Sequence, residues 1–120
     1  MKITEEMIKS SYKIGKQVYE GSMTRQEGKE KIAAASGMNP GSASDYIQIL
    51  SCMLDGRVYK RAMSLATTRY FLDKIGEDFG RGRQVKAARA VVEHTEYYAL
   101  HCKGRQVSTL EMAQACLKGE

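Results

Sequence analysis

Residues 24–56 read TRQEGKEKIAAASGMNPGSASDYIQILSCMLDG, and they contain clear signals for the start and end of a helix. Thr24 and Glu27 have the spacing of a capping box, in which each side chain accepts a hydrogen bond from the backbone N–H of the other residue. Gly37 suits the left-handed conformation that commonly ends a helix, because glycine adopts it without steric cost. The first part of the stretch therefore predicts a helix over about 25–36.

A second helix is predicted after a short turn. Asn39 is a favoured N-cap residue, and Pro40 fits the first helical position, where no N–H is needed. The apolar residues that follow recur three and four positions apart, at Ala43, Ile47, Leu50 and Leu54. This spacing predicts a helix over about 40–55 with one buried face. Residues 24–56 thus form a helix-turn-helix pattern.

The remaining sequence predicts only helices. Cap residues and apolar spacing place them at about 4–20, 64–79 and 83–103, with a short last helix opened by a capping box of Ser108 and Glu111. Residues 80–83, GRGR, are expected to form a flexible link before the long helix. We therefore expect an all-α fold, a compact bundle of about five to six helices, as a single domain over 1–120.

Composition limits the class of protein. The chain has 120 residues, 42% of them hydrophobic and only one proline, which is typical of one globular domain. Apolar runs are far shorter than the ~20 residues that cross a membrane, and the first residues are too polar for a signal peptide. A cytoplasmic protein without a membrane partner is expected. Cys52, Cys102 and Cys116 have no metal-binding spacing, so buried free thiols are predicted.

Positive charge is concentrated in the middle of the chain. The formal net charge is +5, but residues 1–56 hold seven basic and seven acidic residues and are neutral. Residues 57–105 hold eleven basic and five acidic residues, a net charge of +6, and residues 106–120 carry −1. If nucleic acid is bound, phosphate contacts are therefore expected downstream of Gly56.

Two groups of basic residues are candidates for those phosphate contacts. The first surrounds Tyr59 and consists of Arg57, Lys60 and Arg61; the second crowds the start of the long helix and consists of Arg81, Arg83, Lys86 and Arg89. The second group opposes the helix dipole, so a bound phosphate would relieve the repulsion. The alternative is equally compatible: Tyr59 packs inward and the charges are simply solvated.

Candidate base contacts lie on the polar side of the second helix of the pattern. Ser44, Gln48, Ser51 and Asp55 recur along one stripe, and Asn39 and Ser42 precede it. We take Asn39, Ser42, Ser44 and Gln48 as the candidate base-contacting residues. Asp45 argues against this assignment because its carboxylate would repel phosphate, and an ordinary solvated face remains the alternative.

No catalytic constellation is recognisable. His94 and His101 are seven residues apart on one predicted helix, about 10 Å along its axis, too far to share a metal ion without a third element. A nucleophile elbow and a phosphate-binding glycine loop are both missing from the sequence. We therefore expect no enzyme activity, no cofactor and no metal site.

Three segments carry a resemblance to a known family: GMNPGSASDYI at 37–47, MLDGRVYKRAMSLATTRYFLDKI at 53–75 and VVEHTEYYAL at 91–100. Together they resemble the helical N-terminal region that precedes the nuclease domain in HNH restriction endonucleases of the methylcytosine-specific restriction enzyme A type. The resemblance covers roughly residues 4–103 and implies a module that helps to recognise DNA. The sequence lacks an HNH motif, so cleavage is not implied.

Two functions from different classes follow. The first is a module that binds double-stranded DNA, free-standing or as the recognition part of a restriction system. The second is a small protein-binding module, such as a phage- or plasmid-borne inhibitor of a host-defence nuclease of the anti-restriction or anti-CRISPR type, with Tyr19, Met23 or Met38 as anchors. A third alternative is a homodimer formed through the long helix.

Overall fold

The computed structural model describes residues 2–102 and 104–119, and within these residues it contains helices and no strand. The six helices are α1 Glu5–Tyr19, α2 Arg25–Ser36, α3 Pro40–Asp55, α4 Leu65–Phe79, α5 Arg81–His101 and α6 Val107–Lys118. The predicted all-α class and the predicted number of helices are confirmed. Within the same residues, no helix has the length and apolar character needed to span a bilayer.

The chain divides into two compact units, Met1–Ser51 and Cys52–Glu120. The first unit holds α1, α2 and most of α3, and the second holds the last turn of α3 together with α4, α5 and α6. The prediction that 1–120 form a single domain stays a prediction.

The helix-turn-helix pair begins and ends where the local sequence predicts. Thr24 Oγ1 accepts from the N–H of Glu27 at 3.1 Å, and Glu27 Oε1 accepts from the N–H of Thr24 at 3.2 Å. Gly37 takes the left-handed conformation, with φ of 77°, and ends α2. Asn39 Oδ1 then accepts from the N–H of Gly41 at 2.8 Å, which caps the start of α3. Local hydrogen bonds therefore fix the turn.

Two glycines allow close packing in the first unit. A Cβ atom at Gly15 of α1 would lie 3.0 Å from Leu50 Cδ2 of α3. A Cβ atom at Gly28 of α2 would lie 2.6 Å from Val18 Cγ2 and 3.1 Å from Ile47 Cδ1. Gly15 therefore allows α3 to approach α1 closely, and Gly28 allows similarly close packing of α2.

The core of the second unit combines large side chains of α4 with smaller side chains of α5. Phe71, Leu72 and Ile75 of α4 are fully buried, and so are the small residues of α5, Ala87, Ala88, Ala90 and Val91. Gln84 of α5 lies against Gly76 of α4 and donates from Nε2 to the backbone oxygen of Leu72 at 3.1 Å. Small residues on α5 thus allow α4 to pack closely against it.

The start of the long helix differs from the prediction. α5 begins at Arg81, directly after Gly80 with φ of 93°, and it ends at His101. The expected GRGR link is therefore wrong, because its last three residues form the first turn of α5. Arg81 stabilises this turn by donating from Nη2 to the backbone oxygen of Leu117 in α6 at 3.1 Å.

Other local expectations fail near the chain end. α6 begins at Val107 with Gln106 as its N-cap residue, so the predicted capping box of Ser108 and Glu111 does not form there. The reason is tertiary, because the Gln106 side chain is hydrogen-bonded to His94 of α5. Among the cysteines Cys52 is buried as expected, whereas Cys102 is exposed and Cys116 is half-buried.

Candidate nucleic-acid interface

A turn at Gly56 ends α3 and sets the direction of the segment that follows. Gly56 has φ of 71°, and the N–H of Arg57 donates to the backbone oxygen of Cys52 at 2.8 Å. This is the hydrogen bond of a Schellman motif, which ends a helix and turns the chain sharply. A Cβ atom at Gly56 would lie 2.7 Å from Cγ of Lys86, so the Lys86 stem rests against this turn. The turn therefore starts the segment beside the second turn of α5.

His94 fastens the middle of that segment to α5. Its Nδ1 lies 2.5 Å from the backbone oxygen of Tyr59, and its ring stacks on the Tyr59 ring with centroids 4.1 Å apart and planes 12° apart. Gln106 Nε2 lies 2.9 Å from His94 Nε2. A carbonyl oxygen only accepts and an amide NH₂ only donates, so the proton of the neutral ring is on Nδ1.

Burial controls the ionisation of both rings. His94 is 1% exposed and Tyr59 is 4% exposed. Loss of hydration lowers the pKa of His94, while the hydrogen bond to the Tyr59 backbone acts in the opposite direction. Burial also raises the pKa of the Tyr59 phenol, and the nearby Cys52 adds to the effect. The neutral stacked pair is therefore the form present at neutral pH.

Lys60 marks a third point of attachment. Its Nζ lies 5.9 Å from the centre of the Tyr97 ring on α5, a cation–π arrangement. The segment therefore follows α5 from Lys86 past His94 to Tyr97, a span of about 16 Å along the helix axis. Cations from two separate stretches of sequence are aligned in this way.

We call this set of side chains the basic surface: Arg57, Lys60, Arg61, Lys86 and Arg89, all of which are exposed. Arg89 follows Lys86 by one turn of α5, on the same side of the helix. Asp55 lies 3.4 Å from the Arg57 guanidinium, and both side chains are well exposed. Such an exposed pair contributes at most about 1 kcal/mol, so it leaves Arg57 able to bind a phosphate.

The other two predicted phosphate-binding residues make contacts within the second unit. Arg81 donates from Nη1 to Gln84 Oε1 at 2.6 Å, in addition to its bond to α6, and it lines a cleft of about 650 Å³ between α4, α5 and α6. Arg83 is half-buried, unlike the five residues of the basic surface, and its guanidinium lies 5.7 Å from the centre of the Phe79 ring. We therefore leave Arg81 and Arg83 out of the basic surface.

Arg25 of α2 lies against the predicted base-contacting face of α3. Its Nε donates to Ser44 Oγ at 2.9 Å, its Nη1 to Gln48 Oε1 at 3.1 Å and its Nη2 to the backbone oxygen of Ser44 at 3.2 Å. Sequence reasoning missed this arginine because only the packing of α2 on α3 brings it to that face. A cation therefore stands between the two candidate side chains.

The remaining candidate base contacts lie at the start of α3. Asn39 is exposed, but its Oδ1 accepts from the N–H of Gly41 and, at 3.4 Å, from that of Ser42. Ser42 is half-buried. The amide NH₂ of Asn39 is a donor that these two hydrogen bonds do not use. The structure thus brings the four predicted residues together in pairs: Asn39 with Ser42 in the cap, and Ser44 with Gln48 around Arg25.

The anchors predicted for a protein partner are placed differently from expectation. Met38 is 1% exposed, and its Sδ accepts from Ser11 Oγ at 3.4 Å. It therefore belongs to the core of the first unit, and its predicted role as a surface anchor is wrong. Tyr19 and Met23 are half-buried.

The two histidines have separate surroundings. His94 is enclosed as described, whereas His101 is exposed and its ring contacts that of Tyr97 with centroids 4.4 Å apart. Within residues 2–102 and 104–119, no group of three or more His, Cys, Asp or Glu side chains is placed to hold a metal ion.

No family model, curated protein or solved structure matches the chain.

Proposed function

We propose that this chain is a non-catalytic DNA-binding module whose basic surface holds phosphates. The observation that carries the proposal is the attachment of the segment after α3 along α5 through His94 and Tyr59. This attachment sets exposed cations of two sequence stretches along one helix. Phosphate contacts of that kind provide most of the affinity for nucleic acid and fix the orientation of a protein on it.

The helix-turn-helix pair supports duplex DNA as the partner. In such a pair the second helix enters the major groove with its first turns towards the bases. The first turn of α3 carries no acidic residue, and the guanidinium of Arg25 lies on the polar face of α3, where it donates to Ser44. We therefore add Arg25 to Asn39, Ser42, Ser44 and Gln48 as a residue that contacts bases or phosphates. Asp45, one turn further along α3, would repel phosphate unless its carboxylate accepts from a cytosine amino group.

The context that we propose is a restriction system. The resemblance to the region preceding an HNH nuclease domain supports a recognition role, in which this module binds the duplex and another domain cuts. A cytoplasmic location is part of the same proposal, because a restriction system acts on DNA inside the cell. Recognition of a modified base would be a further property of the α3 face.

The test is fluorescence anisotropy with short duplex DNA, methylated and unmethylated, across about 50 to 300 mM salt. We expect binding that weakens steeply, because each phosphate contact contributes about −0.9 to the slope of log K against log salt. Five cations predict a slope of about −4 to −5 from the basic surface. Absence of binding to either duplex at the lowest salt would overturn the proposal.

A protein partner is the second candidate, and one observation favours it. Leu100 is 81% exposed and Val107 is 54% exposed, and both lie at the junction of α5 and α6, where they form part of an exposed apolar patch. An inhibitor of a defence nuclease would bury such residues against its target. Salt-independent capture of a nuclease by a chain that binds no duplex would favour this function over DNA binding.

A further inference from the structure

The most exposed large apolar side chains of the described residues lie at the junction of α5 and α6. Leu100 is one residue before the end of α5, and Val107 is the first residue of α6. The other two exposed large apolar residues, Val58 at 43% and Leu65 at 39%, lie in other segments. Leu100 exposes about twice the fraction that Leu65 exposes, so its burial would remove more apolar surface from water.

The two residues border a common depression. A cleft of about 180 Å³ is lined by Thr95, Glu96, Ala99, Arg105, Gln106, Val107 and Leu110. Leu100 follows Glu96 by four residues on α5 and therefore lies next to this cleft on the same side of the helix. We call Ala99, Leu100, Val107 and Leu110 the apolar end patch. It has apolar side chains at its centre and one charge of each sign at its edge.

The charges at the edge distinguish this patch from the basic surface. Among the residues that line the cleft, Glu96 and Arg105 carry one charge of each sign, so this lining has no net charge. Apolar side chains without a net positive charge do not attract a phosphate backbone. A second copy does not meet strong like-charge repulsion here, in contrast to the region of Lys86 and Arg89.

We propose that the apolar end patch binds a second copy of this chain in a two-fold symmetric dimer. In a two-fold interface each residue is used twice, so one acid and one base per copy give two complementary pairs. Glu96 of each copy then faces Arg105 of the other, and the two Leu100 side chains meet near the axis. The apolar centre matches the composition of homodimer interfaces, whose buried cores are enriched in apolar surface.

This proposal is independent of DNA binding, because it uses none of the residues of the basic surface. Its failure would leave the proposed function intact. Conversely, a chain that dimerises without binding any duplex would retain the dimer and lose the DNA-binding function. The two proposals are therefore tested separately.

The first experiment measures molar mass by light scattering on the full chain over a wide range of protein concentration. We expect the mass to rise with concentration from 13.4 kDa towards twice that value. Leu100→Asp should weaken dimerisation by at least about tenfold, because it places a charge at the interface centre. Leu65→Asp, an equal change at another exposed leucine, should leave the mass curve unchanged.

A mass that stays at that of one chain throughout would overturn the proposal. Equal effects of Leu100→Asp and Leu65→Asp would also overturn it, because they would show that surface charge and not the patch controls the mass. Circular dichroism of each variant confirms that the helices remain.

The second experiment tests the symmetry. Glu96→Arg and Arg105→Glu, each alone, should weaken dimerisation, since each places like charges opposite one another. The double variant exchanges the two charges and should restore the mass curve of the original chain. A double variant no better than the single variants would contradict the two-fold pairing.

Discussion

At the scale of single residues, His94 connects three parts of the second unit through one buried imidazole. Its Nδ1–H holds the Tyr59 backbone, its Nε2 accepts from Gln106 and its ring covers the Tyr59 ring. Both ring nitrogens are thus satisfied only in the neutral form. The stability of the unit should therefore depend on the protonation of this residue.

The folded-state pKa of His94 is lower than its usual value of 6.5, chiefly because the ring is buried. As pH falls below about 6.5 the unfolded chain takes up a proton that the folded chain resists, so the free energy of unfolding falls towards acid pH. The loss is up to about 1.4 kcal/mol per pH unit until the folded-state pKa is reached. Above that range the full contribution is present.

Urea unfolding of the chain and of His94→Gln between about pH 5 and pH 8 checks this expectation. The variant should be less stable at neutral pH and should lose less stability on acidification. His101→Gln is the matched control, because it removes a histidine of the same helix whose ring is exposed. Identical pH dependence in His94→Gln and the original chain would show that His94 does not act in this way.

At the scale of helices, packing in the first unit depends on missing side chains. Gly28→Ala should lower the free energy of unfolding by about 1–2 kcal/mol, because the new methyl group collides with Val18 and Ile47. Gly82→Ala should raise it by about 0.5–1 kcal/mol, since a Cβ there meets nothing within 4 Å and alanine favours a helix. Denaturant unfolding of both variants measures the two effects, and equal signs would contradict the packing described.

The same scale shows which boundaries sequence could predict. α2 and α3 were placed correctly because Thr24, Gly37 and Asn39 act through hydrogen bonds within a few residues. The starts of α5 and α6 were misplaced because each depends on a distant partner. Arg81 bonds to the end of α6, and Gln106 bonds to His94. The sequence around the start of a helix does not reveal such long-range contacts.

At the scale of the whole molecule, the sequence predicted the fold class and the position of the basic residues in the chain, but not their arrangement in space. The all-α class followed from helix caps and apolar periodicity, and the basic stretch followed from counting charges. The arrangement of the basic residues could not be predicted, because the path of the segment after Gly56 depends on contacts with α5. These are made by the stem of Lys86, the ring of His94 and the ring of Tyr97. Arg25 was missed for a similar reason, since it reaches Ser44 only through helix packing.

The proposed function requires that the basic surface binds DNA phosphates. The most direct measurement is the salt dependence of duplex binding for Lys86→Gln/Arg89→Gln beside that of Lys13→Gln/Lys118→Gln. Both double variants remove two exposed positive charges, but only the first alters the basic surface. The proposed function predicts affinity about tenfold or more weaker and a salt slope smaller by about two for the first variant, with little change for the second. Equal affinities and slopes for the two variants would contradict it.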